Sequence, residues 1–237
     1  MKSNLWEEVF SKSKKFYYQH LVSFWIEDYN YFNTCTKILD VGCGIGRFLS
    51  FFPKKSIGLD INMDSLRKAR AQHLIVVRAN AINLPFKKEV FDGIRCSHIV
   101  EHFGPQDAYE LIKETARVLK QGGIIIIQAP LLSPRFYDDI THVRPYPPNA
   151  ILSIYFRPPM LQQSSEKLPY KFKLLKVRWR YACLFYPISS IEPSYNPSKF
   201  KMVLFQKIIS MFIAKIGIHS WKKNGYTLVL RKIKDNK

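Results

Sequence analysis

Three glycines at alternate positions follow an apolar segment that contains an acidic residue. Asp40 lies in the apolar run 38–41, and the glycines after it are Gly42, Gly44 and Gly46. Glycine permits a tight turn and lets backbone N–H groups approach a ligand closely. The spacing differs from the G-x-G-x-x-G of dinucleotide-binding loops, and the Asp40 carboxylate would repel a pyrophosphate. The segment therefore predicts either a loop that binds a cationic ligand or a turn whose glycines serve geometry alone.

A second acid, Asp60, ends the next apolar run, 56–60. In an open α/β sheet, an acid at this position reaches the hydroxyls of a ribose. The alternative is an aspartate that caps a helix or closes a turn. Together, the glycine loop and Asp60 favour a cofactor that contains ribose.

A third polar segment, 98–102, reads H-x-x-E-H, the inverted zinc-protease pattern. That pattern needs both histidines, His98 and His102, on one face of a long helix. Here the segment directly follows a strand candidate and precedes Gly104 and Pro105, so no long helix is available. We therefore expect no metal site, and we interpret the segment as the end of a strand.

The elements that must position these residues alternate along the chain. Strand candidates cover 37–41, 56–60, 74–78, 91–97 and 123–130. Helix candidates cover 46–52, 63–72 and 105–120. We expect Asp64 to cap the second helix, and Gly122 and Gly123 to end the third. Strands that alternate with helices predict right-handed crossovers and a parallel sheet, which is an α/β fold.

Both ends of the chain are organised differently from this core. Residues 1–35 carry apolar residues at helical spacing and predict an N-terminal helical cap. A proline-rich stretch after the fifth strand contains a helix candidate at 147–156. Two late strand candidates, 174–181 and 225–233, flank an insertion at 185–222 with an apolar helix candidate, 200–218. We expect one domain, 1–237, with its core at 36–146.

The strand candidate 174–181 alternates apolar and basic residues. The apolar residues are Leu175, Val177, Trp179 and Tyr181, and the basic residues are Lys176, Arg178 and Arg180. This alternation predicts a half-exposed strand with the apolar residues on one face. Basic residues on the other face would discourage pairing of an edge strand with another chain.

Composition and charge narrow the class of protein and of partner. The 237 residues are 47% hydrophobic, which excludes global disorder, and the net charge is +19. Residues 151–237 hold 17 basic and only 3 acidic side chains, which favours an anionic partner or surface. The four cysteines lack metal-ligand spacing, the N-terminus lacks a signal-peptide pattern, and no stretch is long and apolar enough for a membrane span. These features predict a cytoplasmic protein, with attachment to a membrane surface as an open alternative.

Five segments in order resemble the motifs of class I S-adenosylmethionine-dependent methyltransferases, most closely the small-molecule type 11 group. They are ILDVGCGIG (38–46), GLDIN (58–62), ANAINLPF (79–86), FDGIRCSHIVEHF (91–103) and ARVLKQGGIIIIQAP (116–130). The resemblance covers about residues 36–146. It implies a Rossmann-like, doubly wound sheet of seven strands in the order 3-2-1-4-5-7-6, with the last strand antiparallel.

The resemblance also implies the cofactor, S-adenosyl-L-methionine, and the residues that hold its two ends. Asp40 and the loop Gly42–Gly46, which includes Cys43 and Gly44, would hold the amino-acid end. Asp60 would bind the ribose.

The adenine and the reactive methyl would have their own contacts. Ile61 would pack on the adenine, and Asn80 and Ala81 are further expected cofactor-binding residues. Asn80 replaces the family's usual aspartate, and its side-chain oxygen can still accept a hydrogen bond from the adenine amine. Ser97 and His98 would line the methionine side.

The segment 138–146 is similar to the D-x-T-H-x-R-x-[YF] segment of many small-molecule methyltransferases. Methyl transfer is an in-line displacement at a sulfonium, and it needs a base only when the acceptor loses a proton. His142 would be that base, Arg144 would hold an anionic acceptor, and His98 completes the expected catalytic set. The alternative is that His142 and Arg144 pin this loop to the sheet.

The sequence thus predicts an S-adenosylmethionine-dependent methyltransferase with a small-molecule or lipid/glycan-linked acceptor. One alternative is an RNA methyltransferase that uses the basic C-terminal surface, although no RNA-binding module is recognisable. A protein methyltransferase is a second alternative, which fits the sequence less specifically, and a non-catalytic domain that binds S-adenosylmethionine is the third. The helix candidate 200–218 would either cap the acceptor site or lie on an anionic membrane surface.

Overall fold

Seven strands form a single sheet in the computed structural model, which describes residues 28–133, 136–156, 168–181 and 223–233. The strands are β1 Ile38–Val41, β2 Ser56–Asp60, β3 Val76–Arg78, β4 Phe91–Ser97, β5 Leu119–Pro130, β6 Phe172–Tyr181 and β7 Lys223–Lys232. Their order is β3-β2-β1-β4-β5-β7-β6. The first five pair in parallel, and β7 runs antiparallel to both β5 and β6. The α/β fold and strand order expected from the sequence are confirmed.

Helices lie between the strands. They are α1 Met63–Arg70, α2 Pro105–Val118 and α3 Pro148–Phe156, with short 3-10 helices at Leu49–Phe51, Val100–His102 and Phe136–Asp138. Residues 28–32 are also helical, and they are the described part of the expected N-terminal cap. The insertion at 185–222 and the helix candidate 200–218 lie outside the described residues. None of the helices in the described ranges has the length and apolar character that a membrane crossing requires.

The helix expected at 46–52 is a 3-10 helix of three residues, Leu49–Phe51. Gly46 adopts φ +81°, so helical geometry cannot begin there. Pro53 follows closely and disfavours helical geometry in the residue before it. The segment between Gly46 and Pro53 is too short for the predicted α-helix.

Two predicted helix boundaries are also wrong. Asn62, and not Asp64, caps α1, because its side-chain oxygen accepts hydrogen bonds from the N–H groups of Asp64 and Ser65. Gly122 and Gly123 lie inside β5 and do not end α2. The reason is that Leu119 is already extended and pairs with Phe91, so the glycines fall in the irregular stretch before the regular pairing of β4 and β5.

The alternation expected along β6 is interrupted by a shift of its register against β7. Leu175 therefore packs on one face of the sheet and Val177 on the other, which corrects the expectation that they share a face. Arg178 and Arg180 are also not exposed edge charges. They are partly buried and bond to Thr227 and Asn224 of the neighbouring strand. β6 is nevertheless the edge strand, as expected.

The core lies on both faces of the sheet. One face packs against α2 through residues that include Leu39, Val41, Ile125, Ile127, Leu111 and Ala116. The other face packs against the N-terminal helical residues through Ile38, Ile126, Phe32, Phe48 and Phe52. Full burial of one such large side chain contributes about 1.5–3 kcal/mol. This packing fixes the carboxyl ends of β1, β2 and β4 beside one another at one edge of the sheet.

Candidate functional site

The loop after β1 is built on glycines that adopt left-handed backbone angles. Gly44 has φ +54° and Gly46 has φ +81°. A Cβ atom at Gly46 would lie 2.5 Å from Cδ1 of Leu74, whereas a Cβ atom at Gly44 would meet no atom within 4 Å. Gly46 is therefore needed for packing, while Gly44 borders open space in which a ligand can approach the backbone.

Asp60 ties this loop to the end of β2. Its Oδ2 accepts a hydrogen bond of 2.8 Å from the N–H of Gly44, and its Oδ1 accepts one of 2.9 Å from the N–H of Asn62. A carboxylate has about four acceptor positions, so both oxygens can still accept from ribose hydroxyls. Next to it, Ile61 has an exposed fraction of 64% and offers an apolar surface to a flat ring.

Asp40 is buried and paired inside the protein. Its Oδ1 lies 3.1 Å from Nη1 of Arg95, which occupies the neighbouring position on β4. Burial raises the pKa of Asp40, and the charge of Arg95 acts in the opposite direction. Arg95 also bonds to Gln128 and lies 3.6 Å from Asp28. The predicted contact of Asp40 with the cofactor stays a prediction.

Sequence reasoning missed Arg95, Gln128 and Asp28. The available signal was a charged residue within the otherwise apolar strand FDGIRCS, since a buried charge needs a partner. The parallel register of β1 and β4 places Asp40 and Arg95 side by side. The pair forms a buried polar layer beneath the glycine loop.

The residues on the expected adenine side have unequal exposure. Asn80 is exposed, and its Oδ1 accepts a hydrogen bond of 3.2 Å from the N–H of Ile82. That oxygen keeps a second lone pair for an adenine amine. Ala81 and Cys43 are buried, and burial raises the pKa of the Cys43 thiol far above its usual range. Cys43 is therefore a neutral side chain that packs in the core.

His98 stands at the end of β4 in a left-handed conformation, with φ +53°. Such a conformation in a non-glycine residue persists only where surrounding contacts hold it. Nη1 of Arg180 lies 2.8 Å from Nε2 of His98, and Oε1 of Glu101 lies 3.1 Å from Nδ1. Because arginine only donates, Nε2 accepts and Nδ1–H donates to Glu101. The neighbouring Ser97 donates to Gln128 at 2.8 Å.

Two further histidines, His102 and His142, stand next to each other with ring centroids 4.9 Å apart. Nδ1 of His142 lies 2.6 Å from the carbonyl oxygen of Phe136, and Nδ1 of His102 lies 3.1 Å from that of Thr141. A carbonyl oxygen only accepts, and the Thr141 hydroxyl, 3.0 Å from Nδ1 of His102, donates its proton to Asp139, so both Nδ1 atoms carry the proton. Each Nε2 therefore keeps a lone pair.

Hydrogen bonds attach the loop that carries His142 to the segment after β4. The N–H of Val143 donates to the carbonyl oxygen of Glu101 at 2.8 Å, and the hydroxyl of Tyr146 donates to that of Phe103 at 2.9 Å. Arg144 is exposed, and its guanidinium lies 5.3 Å from the ring centroid of Tyr146. The structure thus brings His98 and His142 to the same region and leaves Arg144 at its surface.

The loop that carries His142 also carries exposed apolar side chains. Tyr137, Ile140 and Val143 are all exposed, and Ile140 has an exposed fraction of 97%. Exposed large apolar residues that cluster in one place are typical of binding surfaces. The loop therefore presents both polar and apolar groups to a ligand.

Comparisons with known proteins agree with this geometry. Residues 39–127 match a family described as "Methyltransferase domain". Phthiotriol/phenolphthiotriol dimycocerosates methyltransferase 1 of Mycobacterium ulcerans (strain Agy99) is 32% identical over 102 residues, which cover 38% of this chain and 36% of that protein. The tRNA (carboxymethyluridine(34)-5-O)-methyltransferase of Arabidopsis thaliana is 33% identical over 92 residues, which cover 38% of this chain and 23% of that protein. The matches span between 20% and 42% of the length of the curated relatives.

The fold has a counterpart among solved structures. The S-adenosylmethionine-dependent methyltransferase from Archaeoglobus fulgidus superimposes with a TM-score of 0.61 at 24% identity, covering 94% of this chain and 99% of the other. Residues 39–127 therefore resemble a methyltransferase domain, and the described residues share the fold of that solved methyltransferase.

Proposed function

We propose that this chain transfers a methyl group from S-adenosylmethionine to a small-molecule or lipid/glycan-linked acceptor. The observation that carries the proposal is the position of two polar groups that follow strands. The Gly44–Asp60 contact lies where β1 and β2 end, and the histidine cluster begins where β4 ends. Open α/β sheets bind ligands outside the carboxyl ends of their strands.

Different residues of the chain bind different parts of the cofactor. Asp60 accepts from the ribose hydroxyls, Ile61 packs against the adenine, and the backbone at Gly44 approaches the amino-acid end. When bound, S-adenosylmethionine supplies a methyl group on a positively charged sulfur. The open space at Gly44 supports this assignment, because any side chain there would occupy the approach.

The histidine cluster serves the acceptor. His142 offers the lone pair of Nε2 to a proton that the acceptor loses, while the carbonyl oxygen of Phe136 holds its Nδ1–H. His98 is held between Arg180 and Glu101, so it positions the acceptor. Arg144 is placed at the surface to hold an anionic group of the acceptor.

The apolar side chains favour an acceptor with an apolar part. Tyr137, Ile140 and Val143 are exposed on the loop that carries His142. Burying them against a lipid or another apolar molecule would contribute about 25 cal/mol for each Å² removed from water. The similarity to the mycobacterial methyltransferase, whose name specifies phthiotriol and phenolphthiotriol dimycocerosates, supports the same class of acceptor.

RNA is the second candidate acceptor. It is supported by the similarity to a tRNA methyltransferase of Arabidopsis thaliana and by the net charge of +14 of residues 151–237. Positive side chains bind phosphates without reading sequence. The exposed apolar loop is the reason that this candidate comes second.

The test uses the full chain and S-adenosylmethionine with a labelled methyl group. A cell extract is separated into RNA, lipid and small-metabolite fractions, and transfer of label into each is counted. We expect label in the lipid or small-metabolite fraction and none with His142→Ala. Label in RNA alone would support the second candidate, and no label in any fraction despite cofactor binding would indicate a non-catalytic domain.

We also propose that the chain works in the cytoplasm, peripheral to an anionic membrane surface. The support is the basic excess of residues 151–237 and the apolar helix candidate at 200–218. Co-sedimentation with vesicles that contain phosphatidylserine, at low and high salt, tests this. Binding that partly survives high salt is expected if apolar side chains insert, and no binding at low salt would contradict the proposal.

A further inference from the structure

We propose that Glu101, His102 and His142 form a binding site for a divalent first-row transition-metal ion. One possible ligand atom from each of the three residues lies within 4.8 Å of the other two. The proposal departs from the sequence-based expectation of no metal, which considered only the spacing 98–102. The third ligand comes from a different loop, so the spacing alone could not reveal it.

In both histidines Nδ1 is engaged in a hydrogen bond, which leaves Nε2 to bind an ion. Their Nδ1–H groups are held by carbonyl oxygens, of Thr141 for His102 and of Phe136 for His142. Histidines that bind metals almost always donate their other ring N–H to a carbonyl or carboxylate, which fixes the tautomer and the ring orientation. Thr141 is itself oriented by a bond of 2.6 Å to Asp139. The hydrogen bonds that would orient the two histidines as metal ligands are therefore already present.

Glu101 would supply the negative charge of the site, and its side chain gives independent support for a bound cation. Its side chain is fully buried, and its Oε1 accepts from His98. Its Oε2 is buried and has no hydrogen-bond partner in the described part of the chain. A buried carboxylate oxygen without a partner is costly, and a cation beside it would remove that cost.

The ligand types select the class of ion. Two imidazole nitrogens and one carboxylate oxygen suit Zn²⁺, Fe²⁺, Mn²⁺ or Co²⁺, whereas Mg²⁺ and Ca²⁺ prefer oxygen ligands alone. Zinc–nitrogen bonds are about 2.0–2.1 Å long, so the three side chains must close on the ion by about an ångström. Three protein ligands would leave at least one position open for water or for an oxygen of the acceptor.

This inference deepens the proposed function, and it rests on that function for the identity of the acceptor site. A bound ion lowers the pKa of an oxygen that coordinates it. An acceptor hydroxyl bound there would release its proton to solvent and attack the methyl carbon as the bond from sulfur to carbon breaks, with the electron pair remaining on sulfur. Under this proposal Nε2 of His142 binds the ion and does not take the proton.

The test measures metal binding directly and does not depend on turnover. Untagged full-length protein, freed of metal with a chelator, is titrated with Zn²⁺ by calorimetry and with Co²⁺ by visible absorption. We expect one ion per chain and a cobalt spectrum typical of nitrogen and oxygen ligands. His102→Ala and His142→Ala should each weaken binding at least about 100-fold, more than loss of an outer-layer partner.

His73→Asn is the matched control, because His73 is exposed outside the cluster and asparagine tolerates its φ of +59°. Its ion affinity should equal that of the wild type, and unfolding midpoints confirm that every variant is folded. No binding of either ion, or binding that survives both cluster substitutions, would overturn the inference. A parallel titration with S-adenosylmethionine separates the two claims: cofactor binding without ion binding removes the metal site alone, and ion binding without cofactor binding removes the proposed function alone.

Discussion

The backbone N–H of Gly44 donates a hydrogen bond of 2.8 Å to Oδ2 of Asp60. One carboxylate thus joins the glycine loop after β1 to the end of β2. The loop conformation and the expected ribose contact consequently depend on the same side chain. Changing Asp60 should affect both.

Asp60→Ala should weaken S-adenosylmethionine binding by about 1.5–3 kcal/mol, because hydrogen bonds to a charged group are lost. Calorimetric titration of the purified variant measures this. Asp64→Ala is the matched control, since Asp64 is exposed four residues away and pairs with the exposed Arg67. Unchanged cofactor affinity in Asp60→Ala would show that Asp60 does not contact the ribose.

Alanine at Gly44 and at Gly46 should have different effects. A Cβ atom at Gly46 would lie 2.5 Å from Leu74, so Gly46→Ala should lower the free energy of unfolding by about 1–3 kcal/mol. Alanine at Gly44 is also strained by the φ of +54° but meets no neighbouring atom, so Gly44→Ala should cost less stability than Gly46→Ala and should weaken cofactor binding. Chemical denaturation and cofactor titration of both variants provide the comparison. Equal losses of stability and of cofactor affinity in the two variants would contradict this distinction.

Asn80 should tolerate aspartate and reject leucine. Its Oδ1 accepts from the N–H of Ile82 and keeps a lone pair for the adenine amine, and a carboxylate oxygen can do both. Asn80→Asp should therefore bind S-adenosylmethionine like the wild type, while Asn80→Leu should bind it more weakly. If all three proteins show the same dissociation constant, the residue does not touch the adenine.

The fold and the cofactor side could be read largely from the sequence, because their signals are local. Short segments contain each of these signals: the alternating strands and helices, the glycines after β1 and the acid that ends β2. The errors arose at a helix start with two candidate caps and at a strand whose register depends on its neighbour. Asn62 displaced Asp64 as a cap, and the register shift in β6 placed Leu175 on the opposite face from Val177.

The buried polar groups were harder to foresee because their partners are distant in sequence. Arg95 meets Asp40 only because β1 and β4 are neighbours in the sheet. Likewise, His142 meets His102 only because the backbone of its loop bonds to Glu101. Spacing along the chain carries no information about such contacts.

Arg95→Leu should lower the free energy of unfolding by about 3–5 kcal/mol near neutral pH, because it leaves a buried carboxylate without its partner. Burial already raises the pKa of Asp40, and Arg95 counteracts this, so the variant's Asp40 pKa should be higher still. A carboxyl with a raised pKa in the folded state takes up a proton more readily when folded. The buried carboxylate therefore destabilises the fold increasingly as the pH rises from its pKa in the unfolded state to its pKa in the folded state. Below the pKa of the unfolded state this destabilisation disappears.

The stability deficit of Arg95→Leu should consequently be smaller at about pH 4 than at about pH 8. Urea denaturation of wild type and variant at both pH values measures it. Arg67→Leu, which breaks an exposed pair with Asp64, should show little deficit at either pH. A deficit for Arg95→Leu that is equal at both pH values would contradict the role assigned to the Asp40–Arg95 pair.

His142→Ala should lower turnover about 10²–10⁴-fold while leaving cofactor affinity nearly unchanged. The side chain stands on the acceptor side and contacts neither the glycine loop nor Asp60 in the described structure. Steady-state kinetics, cofactor titration and the unfolding midpoint should be measured together. A large fall in stability along with activity would indicate that His142 mainly pins its loop, and an active, equally stable variant would exclude both roles.

The most direct test of the account is a calorimetric titration of the full chain with S-adenosylmethionine and, separately, with NAD. We expect one S-adenosylmethionine bound per chain, weaker binding by Asp60→Ala, and no NAD binding, because the loop lacks the G-x-G-x-x-G spacing and follows a strand that contains the Asp40 carboxylate. Binding of NAD without binding of S-adenosylmethionine would contradict it.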